Sequence, residues 1–430
     1  MSGGYARDVV VLQVVVTLWH TWWAARSLRA LARGDRRTIM FVQLVFYFFF
    51  AVPQLLDLVI GPPTYSAQRG FILSQFDHST NVIYLLYLAV TPLIFALLGG
   101  RASAIADTSG TTLRLGQLAR VIAWAAMVLL PFVLVLAPQP AQYLHYAAFI
   151  GHSIEGADQY HAFVVLIATL AAIAAVLVIS AENSVTIARV TAGAFLLLSV
   201  WVHGKRSVVA LTLLLILYLL WMRGVLRGWR FISAAVACGL ALGVFSYAYQ
   251  TNVREIGNDR PQRDQSRQAS AFYVNYRIDY GRDAVAKQTI YAELNPEQVT
   301  ILEYRGQSLL FDVAMLVPRR VWPGKPYPYP IYVTAAMFGI PPRDIGWGVT
   351  TSWLEESVAN LGWIGILFGP AVPALICAVG DRQRSMLIGI LTVSVGSFLL
   401  VLSLVAFFPL FALWLILVVR TPRSTTKSHA

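Results

Sequence analysis

Apolar runs long enough to cross a bilayer alternate with short polar connections along most of the chain, and one long polar stretch interrupts them. The runs occupy 8–26, 38–60, 80–100, 117–138, 160–180, 187–203, 207–223, 229–250 and 358–380. Each is close to the roughly 20 residues that a helix needs to cross the hydrocarbon core. The last run, Met386 to Val419, is too long for one span and predicts two helices joined near Phe407, Phe408 and Pro409. The pattern therefore predicts an all-α, polytopic integral membrane protein with about 11 transmembrane helices. It divides into an eight-helix membrane region at 1–250, a large polar loop at 251–350, C-terminal membrane helices at 351–420 and a tail at 421–430.

Composition agrees. The 430 residues are 57% hydrophobic and only 13% charged, against roughly 25% charged residues in a soluble domain, so a second soluble domain does not fit. The net charge of +12 sits mostly in the short connections, where membrane topology accounts for it, so nucleic-acid binding is not expected. Cys238 and Cys377 fall inside apolar runs and suit small buried side chains better than a structural disulfide. The early run Val9 to Trp23 is followed by basic residues rather than a small-residue cleavage site, and is expected to stay as a first helix.

Charge also orients the helices. Arg26, Arg29, Arg33, Arg36 and Arg37, then Arg101, Arg114 and Arg120, then Arg189, then Arg223, Arg227 and Arg230, then Arg382 and Arg384, and finally Arg420, Arg423 and Lys427 lie in alternate connections. These are expected to be cytoplasmic, with the N-terminus outside, the C-terminus inside and the polar loop extracytoplasmic.

The polar loop holds 12 Lys/Arg and 10 Asp/Glu. Arg254 to Gln268 lacks apolar periodicity and reads as solvated. Ser308 to Val317 has an apolar face and predicts a short amphipathic helix in the membrane interface. Trp322 to Pro330 is so rich in proline that it predicts an extended, stiff loop.

Three constellations offer chemistry. His203, Lys205 and Arg206 lie in a very short connection on the side where cations are disfavoured, and suit a lipid diphosphate or anchoring at headgroups. Arg319, Arg320 and Lys325 stand among Pro318, Pro323 and Pro326, which limit the backbone freedom lost when cations converge on an anion. Trp322, Tyr327, Tyr329 and Tyr332 interleave with them and suit stacking on sugars or an interfacial aromatic belt. Glu356 and Asn360, four apart, share a helix face, whereas Glu355 points about 100° away, towards the loop. A carboxylate losing hydration there suits a general base, and acids at a helix N-terminus also suit plain capping. His152, Glu155, Asp158 and His161 make a weaker cluster, and no metal-ligand spacing or nucleotide-binding motif is present.

The run Pro318-Arg319 through Trp322-Pro323-Gly324-Lys325-Pro326, the pattern from Gly348 and Thr350 to Glu355, Glu356, Asn360 and Gly362, and the turn Gly204-Lys205-Arg206-Ser207 together resemble the Wzy-like O-antigen polymerase family, the oligosaccharide repeat-unit polymerases. The resemblance covers about the second half of the chain; residues 1–180 match only as serial membrane helices. It implies a glycosyltransferase C-like membrane enzyme of the bacterial inner membrane, working on the periplasmic face without metal or other cofactor. Its donor and acceptor would be oligosaccharides on undecaprenyl pyrophosphate, and its partners membrane lipid, a chain-length regulator and a flippase. On this reading Lys205, Arg206, Arg319, Arg320 and Lys325 hold the diphosphate, Glu356 or His203 takes the acceptor proton, and Glu355, Asn360, Trp322 and Tyr327 contact sugar. An O-antigen ligase and a non-catalytic transporter of lipid-linked sugars are the alternatives. Charged residues inside several spans would favour the transporter, and Asp57 is the one noted within a run.

Overall fold

A computed structural model describes residues 6–61, 69–100, 115–138, 140–144, 158–203, 206–249, 280–315, 317–346, 348–383 and 385–420. Among these the chain is helical, with no strand. Five stretches are long and apolar enough to cross a membrane: Arg7–Ala32, Ile39–Ile60, His78–Leu98, Gln117–Val135 and Trp353–Asp381. The other expected spans are also helices, with shorter apolar portions such as Thr186–Val202 and Met386–Leu399.

The chain forms two compact units, residues 106–276 and residues 1–105 with 277–430. These units cut across the boundaries expected at 250 and 350, because the second part of the polar loop folds with both ends of the chain. The inserted unit contains α6 (Gln117–Val135), α7 (Asp158–Ser180), α8 (Thr186–His203), α9 (Arg206–Met222) and α10 (Trp229–Tyr249). Here α7 packs against α6, α8 and α9, and α10 packs on α9. The Tyr160 hydroxyl donates to the Val133 carbonyl at 2.6 Å, joining α6 and α7.

The other unit begins with α1 (Arg7–Ala32), α2 (Ile39–Phe46), a π turn at Tyr47–Ala51, α3 (Val52–Ile60), α4 (Arg69–Phe76) and α5 (His78–Leu98). It resumes with α11 (Asp283–Leu294), α12 (Gln307–Val313), α13 (Tyr329–Phe338), α14 (Trp353–Leu361), α15 (Gly365–Asp381), α16 (Met386–Leu399) and α17 (Leu404–Arg420). Sequence chemistry explains the breaks. Pro53 has no N–H to offer the carbonyl four residues back, that of Phe49, which instead accepts the backbone N–H of Arg282 at 3.2 Å. The π turn thus anchors the start of α11. Asp77 caps α5 by accepting the Thr80 N–H at 2.7 Å.

The structure corrects one expectation and refines two. The Pro-rich run is not extended to its end: Tyr329 and Pro330 open α13, since proline in a first helical turn has no hydrogen bond to lose. The last apolar run breaks between Leu399 and Leu404 and again at Phe407 (φ −133°, ψ 17°), where a kink divides two helices near the expected position. The expected ninth span lies within the helical stretch Trp353–Asp381, where Gly362, whose φ of +62° suits a residue without a Cβ, separates α14 from α15.

Residues 280–349 supply most of one hydrophobic core. Val285 and Ala292 of α11 meet Tyr329, Tyr332, Val333 and Met337 of α13, Phe71 of α4 and Ala359 of α14. This core lays α11 against α4, α5 and α14 and so carries the charged residues of α11 into the interior.

Candidate functional site

Nearly the whole of α11 is buried, including Asp283, Lys287 and Gln288. Charged groups survive such burial when partnered. The Asp283 carboxylate accepts from Gln54 Nε2 at 3.1 Å, and Gln13 Nε2 donates to the Gln54 carbonyl at 2.8 Å. Lys287 Nζ stands 5.4 Å from the Tyr84 ring centroid, a cation–π distance. Arg282 Nε reaches the Val401 carbonyl at 3.4 Å, and its guanidinium interacts electrostatically with Glu355.

Beside α11 lies α14. Ser352 and Glu355 form a capping box: the Glu355 carboxylate accepts from both the Ser352 N–H and the Ser352 hydroxyl, and Ser352 Oγ accepts from the Leu354 N–H. Glu355 therefore does not face the loop. Only 1% of it is exposed, because its carboxylate turns back to the helix N-terminus, where anions are favoured. The Tyr87 hydroxyl donates to the Leu354 carbonyl (3.4 Å), and Ser357 Oγ to the carbonyls of Leu354 (2.7 Å) and Gly365 (2.9 Å). These bonds tie α14 to α5 and α15.

Glu356 and Asn360 share a face, as their spacing predicts, and that face is covered by α12. Ser308 Oγ donates to Glu356 Oε1 (2.7 Å) and accepts from Asn360 Nδ2 (2.8 Å), which also donates to the Glu356 carbonyl (2.8 Å). Asp312, one turn beyond Ser308, interacts electrostatically with Glu356. Burial holds the Asp312 carboxyl above the usual aspartate range, since desolvation penalises the anion. The expected short amphipathic helix is present at Gln307–Val313, and its polar face turns into the protein. Gln307, Ser308 and Asp312 point inward, while Leu310 and Val313 are exposed.

The proline-framed cations do something else. Lys325 is buried, and its ammonium donates to the carbonyls of Met315 (2.8 Å) and Val317 (3.0 Å) while lying 4.6 Å from the Phe311 ring centroid. Arg319 donates to the carbonyls of Lys325 (2.7 Å) and Pro326 (3.0 Å), with Tyr327 stacked on it at 4.2 Å. Both side chains brace the loop instead of converging on an open anion site. Arg320 is exposed and Trp322 half-buried.

Lys205 lies outside the described residues, as do the side chains of His203 and Arg206, whose backbones end α8 and begin α9. Arg254 to Gln268, His152 and Glu155 are also outside them, as are the side chains of Asp158 and His161. Among the described residues no cluster of three or more His, Cys, Asp or Glu could hold a metal ion.

No family model, no curated protein and no solved structure matches the chain.

The cluster contains Glu355, Glu356 and Asn360, which the sequence singles out, and Arg282, Asp283, Lys287, Ser308 and Asp312, which it does not. A signal existed for Ser308 and Asp312: they are four apart, like Glu356 and Asn360. For Lys287 the signal is weaker, an isolated cation within the otherwise uncharged run Ala284 to Ala292. What the arrangement can do is chemically defined. A buried carboxylate held by a hydroxyl can exchange a proton, with cations on the adjacent helix to balance a second anion.

Proposed function

We propose that this chain is a membrane glycosyltransferase that joins oligosaccharide repeat units carried on undecaprenyl pyrophosphate, as its motifs resemble those of the Wzy-like polymerases. The observation that carries the reading is the buried Glu356 carboxylate of α14, held by Ser308, beside α11 with its buried cations Arg282 and Lys287. In the reaction, Glu356 accepts the proton of the acceptor sugar hydroxyl as its oxygen bonds to the donor anomeric carbon. The bond from that carbon to the diphosphate breaks, and the diphosphate leaves with the electron pair. Arg282 and Lys287 favour the departing charge. Arg319 and Lys325 are assigned to holding the loop. The proposal includes about 11 spans, the bacterial inner membrane and a periplasmic site.

The test supplies purified protein in liposomes with lipid-linked repeat units. A ladder of sugar lengths, lowered about 100-fold or more by Glu356→Gln, is expected from loss of a general base. Transfer to lipid A instead makes the protein a ligase, and an unchanged ladder in the variant removes Glu356 as the base.

A proton- or ion-coupled transporter is the second reading. It is favoured by the buried Asp57, Asp283 and Lys287, which place ionisable groups deep in the helical unit. Movement of lipid-linked sugar across the liposome membrane without new glycosidic bonds would establish it.

A further inference from the structure

Two i, i+4 pairs face each other in this unit. Ser308 and Asp312 share one face of α12, and Glu356 and Asn360 share one face of α14. Ser308 bridges to both residues of α14 (2.7 and 2.8 Å), and Asp312 interacts electrostatically with Glu356. The orientation of the Asn360 amide follows from its bonds. Nδ2 donates to a backbone carbonyl, which only the NH2 end can do, so Oδ1 is the remaining acceptor.

Asn360 Oδ1 and Asp312 Oδ2 have no hydrogen-bond partner among the described residues, although Asn360 is 1% and Asp312 8% exposed. Two buried oxygens without donors call for a bound donor or cation. The surrounding charges are committed elsewhere. Glu355 is bound by Ser352, Asp283 by Gln54, Glu293 by Arg305, and Lys325 turns to backbone carbonyls. Lys287 lies by Tyr84 and Arg282 by Glu355, while the Tyr329 hydroxyl pairs with Thr289. Among the described residues no salt bridge involves Asp312 or Glu356. Between 280 and 361 the buried acids are Asp283, Asp312, Glu355 and Glu356, and the buried cations Arg282, Lys287 and Lys325, four against three. One further positive charge balances them.

We propose that Asp312, Glu356, Ser308 and Asn360 form a buried site for one small monovalent cation, a sodium ion. Carboxylate, amide carbonyl and hydroxyl oxygens are hard donors suited to sodium. The site shares Glu356 with the proposed glycosyl transfer but does not rest on that reaction, and its occupancy is read without turnover.

The experiment follows thermal unfolding of the full-length protein in detergent. Sodium chloride is exchanged for choline chloride at constant ionic strength and alkaline pH, and pH is then varied in choline chloride. Wild type is compared with Asp312→Asn and, should that variant fail to fold, with Asn360→Leu. A saturable sodium-dependent rise in midpoint, on the order of 5 °C and absent from the variants, identifies the ion as sodium. A rise on acidification that the variants lack, with sodium and choline equivalent, shows a proton on the carboxyl itself and overturns the ion site. Responses to sodium and pH that are the same in wild type and variant, or no response at all, overturn the site.

Discussion

Ser308 Oγ donates to Glu356 Oε1 at 2.7 Å, joining residues 48 positions apart in the chain. The same oxygen accepts from Asn360 Nδ2, so one small hydroxyl organises both polar residues on the face of α14. Ser308→Ala leaves Glu356 Oε1 and Asn360 Nδ2 each short of a buried partner. A loss of about 1–3 kcal/mol is expected, measurable by unfolding in detergent. Stability unchanged in that variant would show that the hydroxyl is not the bridge.

Lys325 belongs to the frame of the loop. Lys325→Met keeps the length of the side chain and removes two charge-assisted bonds to the carbonyls of Met315 and Val317. Destabilisation of about 1.5–3 kcal/mol is expected, with lipid-linked donor binding retained by the fraction that stays folded. An unaltered unfolding midpoint together with weakened donor binding would return Lys325 to the diphosphate role that its sequence setting suggested.

The Asp312 carboxyl is held above the ordinary aspartate value of about 3.9 by burial. In the window between the two values the folded state keeps a proton that the unfolded chain releases, so this contribution to stability falls as pH rises. Asp312→Asn is neutral throughout and lacks the decline. In sodium-free buffer its stability relative to wild type should therefore increase with pH across that window and level off above it. A difference independent of pH would mean that Asp312 ionises normally.

Helix packing makes a separate prediction at Gly369 on α15. A Cβ there would lie 2.6 Å from Ser357 Oγ and 2.7 Å from the Tyr87 hydroxyl, both of which hold α14 in place through hydrogen bonds. Gly369→Ala should cost about 1–3 kcal/mol through overpacking. Gly193→Ala, on α8 with open space around it, is the matched control and should be neutral or slightly stabilising.

Much of this is legible in the linear pattern. The apolar runs specify the helices because a segment without polar side chains satisfies its backbone only within itself. The spacing of Glu356 and Asn360 puts them on one face because α-helical geometry is local. The sequence does not reveal that α11 is a buried helix, because Asp283, Lys287 and Gln288 read as solvated when their partners, Gln54 and Tyr84 among them, are more than 200 residues away. The orientation of α12 is decided in a related way. Amphipathicity locates a helix's polar face, but only the polar surface of α14 beside it turns that face inward.

The run Trp322 to Pro326 shows the same division. Sequence alone determined that the backbone is restrained, because proline fixes φ wherever it stands. Tertiary structure decided where Arg319 and Lys325 point, because a cation goes to whichever acceptors the folded chain brings within about 3 Å. So it is with the polar loop as a whole. Its charge and its flanking helices are set by the order of residues, whereas the pairing of Ser308 with Glu356, and of Asp283 with Gln54, exists only once α11 and α12 are laid on α14 and α3.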